Sequence, residues 1–480
     1  RKRIASDLIA VKVILPEEDG TIDGKKKIAD RDILSCVVRF KVVDTEAGDG
    51  YVAETWKNRE LFQSWISYYT AFVMENGKKD VCYVTGEYTV CAGKHANGIR
   101  GSADWAKLIS SNENGNVVFS GDWFCQGDDA VTIGMLTSYK AHCALSWMIK
   151  RQGYVFGSNI RVCWDPDGNP LALNLFADTA EILGKHEYRF FAGRKAYESY
   201  LDVCFSGFLL DDKEYHMLVL DAPNKQDHKG RLAILDYAEM PAGLIYQRIK
   251  QWHRTACWQF VMKNRTFTGA PSVEDVVTAA YGTEYGGGFA VMDSTLSARQ
   301  ANRVVSVILS GGSMPSDIVE KLVKRAGDPC RYHEYNHWLL VLQVTCAVLN
   351  RDVIRGDIML DRLNKDRSYL WGRLLAVADY LERLYFNEVR EGRLTGVCRY
   401  MQMFSRSPER YWGVIRKRLV PYLKKASRLK YGLYACKLMD QMTDMLLGQA
   451  DSDEPLGAAY LTGFSSQQLC FLRMDYAVRK

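Results

Sequence analysis

The stretch Asp366-Arg367-Ser368-Tyr369-Leu370-Trp371-Gly372-Arg373-Leu374-Leu375-Ala376-Val377-Ala378-Asp379-Tyr380-Leu381-Glu382-Arg383-Leu384 sets its large apolar residues at 370/371, 374/375, 377/378, 381 and 384. That is the three-and-four spacing of a helix with one buried face, and it anchors the last third of the chain. Downstream, Ser407 caps a second helix with Pro408 at its first position. Trp412, Ile415, Leu419 and Leu423 line the apolar side of that helix, and Pro421 is expected to kink it. Apolar-periodic stretches follow at about 431–447 and 455–472. Four or more such helices with short connections predict an antiparallel bundle.

Working outward, Gly311-Gly312-Ser313 with Pro315 reads as a hinge or domain boundary. The expected fold class is α+β: a mixed α/β portion over 1–311, then the C-terminal antiparallel helical bundle over 312–480. Strands are expected at 8–15, at Val37–Val43 (Arg39 and Lys41 opposite Val38, Phe40 and Val42) and at 81–87. A helix is expected from Asn58 through Leu61, Trp65, Tyr68, Tyr69 and Phe72 to Asn76-Gly77. Another runs over 130–151, with Ile133, Leu136, Tyr139 or Lys140, Cys143 and Trp147 near one face. The segment to 237 reads as β-rich, clearest at 215–220 and 231–237. Helices are then expected at 244–262, 272–281, 298–310 and 315–326.

No apolar run approaches the roughly 20 residues of a membrane helix, and Arg1–Asp7 lacks a signal-peptide core. Both points indicate a cytoplasmic protein without a membrane partner. The missing initiator Met indicates an N-terminus that lies upstream. Thirteen cysteines scattered from Cys36 to Cys470 without a Cys-x-x-Cys pair read as reduced, packed thiols. Charge is uneven: from Gly312 onward there are 27 Lys and Arg against 19 Asp and Glu, whereas the rest holds 36 against 38. Between Arg406 and Lys430 the sole acid is Glu409, among nine Lys and Arg. A polyanionic partner is the natural inference.

The sharpest enzymatic signal is His333-Glu334-Tyr335-Asn336-His337. On a helix the two imidazoles could share zinc while Glu334 activates water, which makes a zinc metallopeptidase the alternative function. No histidine follows His337, so Glu382 or Glu388 would have to supply the third ligand. A chance match at the start of a Trp- and Leu-rich helix is the preferred account, with no metal and no cofactor. Gly286-Gly287-Gly288 lacks the lysine of a phosphate-binding loop and reads as a turn.

The residues support nucleic-acid binding better. Lys94, Lys107, Ser111, Asn112 and Asn114 lie in a glycine- and polar-rich stretch able to approach a duplex groove. Arg410, Arg416, Lys417, Lys424, Lys425 and Arg428 are candidates for phosphate contacts to a nucleic-acid strand, with stacking from Tyr411 or Trp412 if either ring is exposed.

A set of strings in order resembles the large subunit of the type I-C CRISPR Cascade surveillance complex. They include Cys82–Glu87, His95–Arg100, Lys107–Asn112, Lys140-Ala141-His142, Arg151-Gln152-Gly153, Arg231–Ile234, Trp252-His253, Ile308–Gly311, Ser368–Leu374 and Leu456–Gly463. The resemblance implies a non-catalytic subunit near the 5′ end of the CRISPR guide RNA, beside the Cascade backbone and guide-5′-end subunits. Such a subunit engages the protospacer-adjacent motif in double-stranded target DNA, stabilises the opened strands, including the displaced single strand, and recruits the helicase-nuclease. It also implies a small subunit derived from the C-terminal region, for which Met359 is a candidate internal start. The family's motif-recognition segment has no counterpart before Val37, and Phe464–Gln468 replaces a more aromatic and basic tail.

Overall fold

The computed structural model describes residues 27–28, 31–32, 39–43, 52–101, 104–109, 132–183, 191, 193–221, 232–262, 265–354, 356–388, 395–447 and 453–476. Two compact units emerge, one of Arg1–Gly93 with Ser111–Ser138 and the other of Lys94–Ser110 with Tyr139–Lys480.

In the first unit, Asn58 accepts the backbone N–H of Leu61 at 3.0 Å and Gly77 follows the last turn, which bounds α1 at Arg59–Asn76. These ends match the sequence reading. The apolar stripe of α1, Leu61, Trp65, Tyr68 and Phe72, is exposed, with Trp65 stacked on Tyr69 at 5.9 Å. The strand expected over 81–87 is instead a hairpin: β1 (Lys79–Val81) and β2 (Tyr88–Val90) flank a turn at 83–85. Of the Val37–Val43 strand, only 39–43 is described; Lys41 bridges Glu54 there, and no named strand forms. The strand placed at 8–15 lies outside the described residues.

The second unit contains α2 from residue 139 on (α2 as a whole is Met135–Gln152) and a four-stranded antiparallel sheet. Its strands are β3 (Tyr154–Phe156), β4 (Asn159–Trp164), β5 (Glu214–Asp221) and β6 (Ala233–Pro241), in that spatial order. Between β4 and β5 lies α3 (Arg194–Phe205), a helix the β-rich reading did not anticipate. Then come α4 (Ala242–Thr255), the hairpin of β7 (Trp258–Met262) with β8 (Arg265–Gly269), and α5 (Val273–Tyr281). The single helix expected over 244–262 is thus a helix and a strand. Cys257-Trp258-Gln259-Phe260-Val261 has a β-branched and aromatic composition that pairs with Arg265–Gly269. A second hairpin, β9 (Thr283–Tyr285) and β10 (Gly288–Ala290), turns at Gly286 and Gly287 with φ of 48° and 87°. Those left-handed values favour glycine at 286 and 287, and at Gly288 an added Cβ would lie 2.9 Å from the Tyr285 ring.

The remainder is helical: α6 (Ser294–Ser310), α7 (Ser316–Ala326), α8 (Tyr335–Leu349), α9 (Arg367–Glu388), α10 (Gly396–Phe404), α11 (Pro408–Ala426), α12 (Gly432–Leu446) and α13 (Ala459–Tyr476). The class is α+β, with small antiparallel sheets before a helical C-terminal region. The opening stretch is α9, started by Asp366, whose carboxylate accepts the Tyr369 N–H at 2.7 Å. It lies at the centre, packed on α10, α11, α12 and α13. Gly311 marks a change from mixed to helical character but does not interrupt packing: Ile308 before it and Met314 and Ile318 after it belong to one buried cluster. That cluster also holds Trp258, Trp338, Trp371, Trp412 and Phe464. Burial of each such side chain stabilises by roughly 1.5–3 kcal/mol or more.

Candidate nucleic-acid interface

On α11 Trp412, Ile415 and Leu419, one or two turns apart, are buried, together with Pro408 and Ala426 near the two ends. At 100° per residue, Arg410, Lys417 and Lys424 fall within roughly 40° of one another on the opposite side, and all three are exposed. They form a row with steps of roughly 10 Å, at 1.5 Å rise per residue. Among the described residues Lys417 and Lys424 make no ion pair.

The other three candidates flank this row. Arg416 lies on the side of α12, 3.8 Å from Asp440, and Lys425 sits on the other flank with its ammonium 5.2 Å from the Tyr385 ring centre. Arg428 is exposed in the turn that follows the helix. Trp412 is 1% exposed, so it is core and not a stacking platform. Tyr411 is half-buried, with Tyr400 at 6.2 Å. The helix continues through Pro421, which leaves the Lys417 carbonyl without its helical donor on the exposed face.

The second group divides. Ser111, Asn112 and Asn114 lie outside the described residues. Lys94 is exposed, and Lys107 is half-buried with its carbonyl accepting the Leu232 N–H at 2.9 Å. Their segment is fastened to α2 and the four-stranded sheet, because Ile99 and Ala106 join Leu145, Met148, Ile149, Ile160, Val162, Leu218 and Leu220 in a separate small core. Arg100 clamps it internally, donating to both oxygens of Asp104 at 2.8 and 3.2 Å. Burial, then the neighbouring His142 and Lys107, hold the His95 imidazole below its ordinary pKa.

Helix α2 adds residues to the candidate surface. Tyr139, Cys143 and Trp147 are exposed, while His142, Leu145, Met148 and Ile149 face inward. The face shared by Tyr139, Cys143 and Trp147 is thus the outer one, and two successive turns supply smaller apolar groups to the sheet. On the outer face the Arg151 guanidinium lies 4.8 Å from the Trp147 ring centre, with Lys140 and Lys150 nearby in sequence and also exposed. Arg four residues after Trp was the available signal. Cations beside an open aromatic ring suit a nucleic-acid strand.

The H-E-x-x-H stretch is put to another use. Helix α8 begins at Tyr335 with Glu334 as its N-cap residue, so His333 lies outside the helix and the two imidazoles do not stand a turn apart on one face. Glu284 of β9 binds the whole motif: its carboxylate accepts the backbone N–H of His333 at 2.8 Å and of Glu334 at 3.1 Å, and His337 Nδ1–H at 2.7 Å. His337 also stacks on Phe289 at 5.1 Å. Among the described residues no group of three or more His, Cys, Asp or Glu gathers as a metal site.

Burial pushes the Glu284 carboxyl up, but the hydrogen bonds from His333, His337 and Glu334 outweigh it and hold it down to about 2, against an ordinary 4.5. A depressed folded pKa stabilises above the unfolded value, and that stability is lost as pH falls from about 4.5 towards 2. Glu284→Gln is therefore expected to reduce stability at pH 7 and to flatten the fall in stability between pH 5 and 2. Urea titrations at stepped pH would check this; an unchanged slope would remove Glu284 as the cause.

No helix among the described residues is long and apolar enough to cross a membrane. No match to an individually curated protein was found. The family model described as CRISPR-associated protein (Cas_Csd1) matches residues 13–472, a span that takes in α9, the basic row on α11 and the Lys94–Lys107 segment. On that match, the chain belongs to the CRISPR-associated Cas_Csd1 family.

Proposed function

We propose that the chain is the non-catalytic large subunit of a type I-C RNA-guided DNA surveillance complex in antiviral defence. In this reading it recognises the protospacer-adjacent motif, stabilises the opened target DNA and recruits the helicase-nuclease. It works beside the guide RNA and the backbone and guide-5′-end subunits, in the cytoplasm. Base pairing would read sequence while the protein reads a short motif and backbone shape. Lys94, Lys107, Ser111, Asn112 and Asn114 are assigned to the duplex, and the α11 cations to the target or displaced strand.

The observation that carries the reading is the row Arg410, Lys417, Lys424, exposed and aligned opposite the buried face of α11 in a CRISPR-associated chain. Each phosphate neutralised contributes roughly 0.7–0.9 to the slope of log K against log salt. Changing all three residues to Gln should therefore weaken target binding by the assembled complex and flatten that slope by about 2–3. Salt titration of complexes with native and altered subunit would test it. An unchanged slope would move the DNA path elsewhere.

The region 312–480 is proposed to act as the small-subunit-like part, with Met359 as an internal start. A product from Met359 keeps α9 to α13 together but loses α8, whose Trp338 packs edge-on against Phe464 at 6.0 Å. Such a product would expose that face to a neighbour. The test is whether the intact gene yields a second, shorter product.

A further inference from the structure

The four-stranded sheet has two ends of different kinds. At β3 the chain turns at Gly157 against the start of α6, where an added Cβ would meet the Ser294 backbone. At the other end, among the described residues, β6 pairs with β5 alone, and seven of its nine residues are exposed.

Register shows which backbone groups are open. Glu214 faces Pro241, and just beyond this pair Ala242 N–H donates to Lys213 C=O at 2.8 Å. Counting back by twos, Met240, Ala238 and Asp236 exchange bonds with β5, so Tyr237 and Glu239 turn their N–H and C=O outward. Among the described residues no strand or loop meets those groups.

Edges of this kind are usually blunted by lysines, prolines or bulges. Here the bulge, at Leu235, and Pro241 lie at the two ends of a regular run from 236 to 240. The charged residues within that run are Asp236 and Glu239, both acidic. Tyr237 is 51% exposed and Ile234 56%. Side chains on this face are already ordered: the Trp164, His216 and Tyr237 rings stack at 5.5 and 6.2 Å, and the Tyr237 hydroxyl donates to Glu239 Oε1 at 2.5 Å.

We propose that β6 is a docking edge for an extended basic segment of a partner protein, which adds as a fifth strand. Main-chain bonds to Tyr237 and Glu239 would supply affinity, and alternate side chains specificity. Residues opposite Tyr237 and Glu239 are two apart on one face, so the segment would carry an apolar residue, any residue, then Lys or Arg. A second copy of this chain would bring the acids of two β6 strands together, which is unfavourable. The proposal does not rest on the nucleic-acid reading, since an acidic edge repels a phosphate backbone.

The test uses the full chain and two fluorescein-labelled nine-residue peptides, one alternating valine and lysine, the other valine and glutamate. The lysine peptide is expected to bind in fluorescence anisotropy. Tyr237→Pro, which removes an outward N–H and none of the bonds to β5, and Glu239→Lys, which leaves the backbone unchanged, should each weaken it at least tenfold. Amide hydrogen exchange should show new protection at Tyr237 and Glu239 and no change at Asp236 and Ala238. Should Tyr237→Pro fail to fold, Glu239→Lys and the exchange pattern still decide. Equal binding of the glutamate peptide, or no protection at the two outward amides, would overturn the proposal. So would self-association abolished by Glu239→Lys, which would assign the edge to a second copy.

Discussion

Gly372→Ala is expected to destabilise the second unit by about 3 kcal/mol, the upper part of the range for overpacked cores. On a free helix the same change would stabilise by about 1 kcal/mol, so the sign itself is diagnostic. Helices α9 and α13 cross where Gly372 faces Tyr460 and Gly463 faces Tyr369. An added Cβ on Gly372 would lie 2.9 Å from Tyr460 Cα and closer still to its carbonyl, and one on Gly463 would lie 3.1 Å from Tyr369 Cα. Both obstacles are backbone, which cannot swing aside as a side chain can, so the helices must part. Gly463→Ala should cost a similar amount. The double variant should cost less than the sum, because helices once separated accommodate the second methyl. Urea unfolding followed by the fluorescence of the buried tryptophans would measure all three; strict additivity would show that the two glycines do not share one seam.

Asp379→Ala should be comparably severe, about 3 kcal/mol, the lower end of the range for removing one partner of a buried pair, since Arg383 keeps 31% of its side chain in solvent. Asp379 is 2% exposed and accepts Arg383 Nε–H at 2.7 Å and the Thr395 hydroxyl at 2.7 Å. Arg383 in turn lies 4.4 Å from the ring centre of Tyr335, whose hydroxyl accepts from Gln468 at 2.8 Å. One carboxylate thereby ties α9 to the cap of α10, and through Arg383 to α8 and α13. Replacing both partners, Asp379→Leu with Arg383→Met, should recover most of the loss, since a well-packed apolar pair often matches a buried ion pair. If the double variant were as unstable as Asp379→Ala, the charge pairing would not be the source of the effect.

Where local chemistry agreed with tertiary packing, the fold was legible. Asn58 and Gly77 bound α1, and the period of 366–384 gave α9. The strings Ser368–Leu374 and Leu456–Gly463, which carried the resemblance, turn out to hold the glycines of the α9–α13 seam. Tertiary demands concealed the rest. Trp258–Met262 reads equally as the end of a helix until its pairing with 265–269 is known. In α2 the periodicity set Tyr139, Cys143 and Trp147 on one face but not which face the sheet buries, which is that of Leu145, Met148 and Ile149. His333–His337 had the spacing of a metal motif, yet the residue that decides its role, Glu284, lies about fifty positions away. For the candidate interface, composition located the basic cluster. Only the helix geometry separated the outward row Arg410, Lys417, Lys424 from Arg416 and Lys425 on its flanks.

The α9–α13 seam also bears on synthesis. Trp258 of β7 donates its indole N–H to Ser465 of α13 at 3.0 Å, a contact 207 positions apart in the chain. Contacts of such separation close late, after the loop-closure entropy between them has been met. Nascent chains emerge at roughly 5–20 residues per second. For ten seconds or more after β7 has left the ribosome, therefore, the indole has no partner, and the groove at Gly372 waits roughly 4–18 s of its own for Tyr460. During that interval this part of the core is open to chaperones and to wrong neighbours.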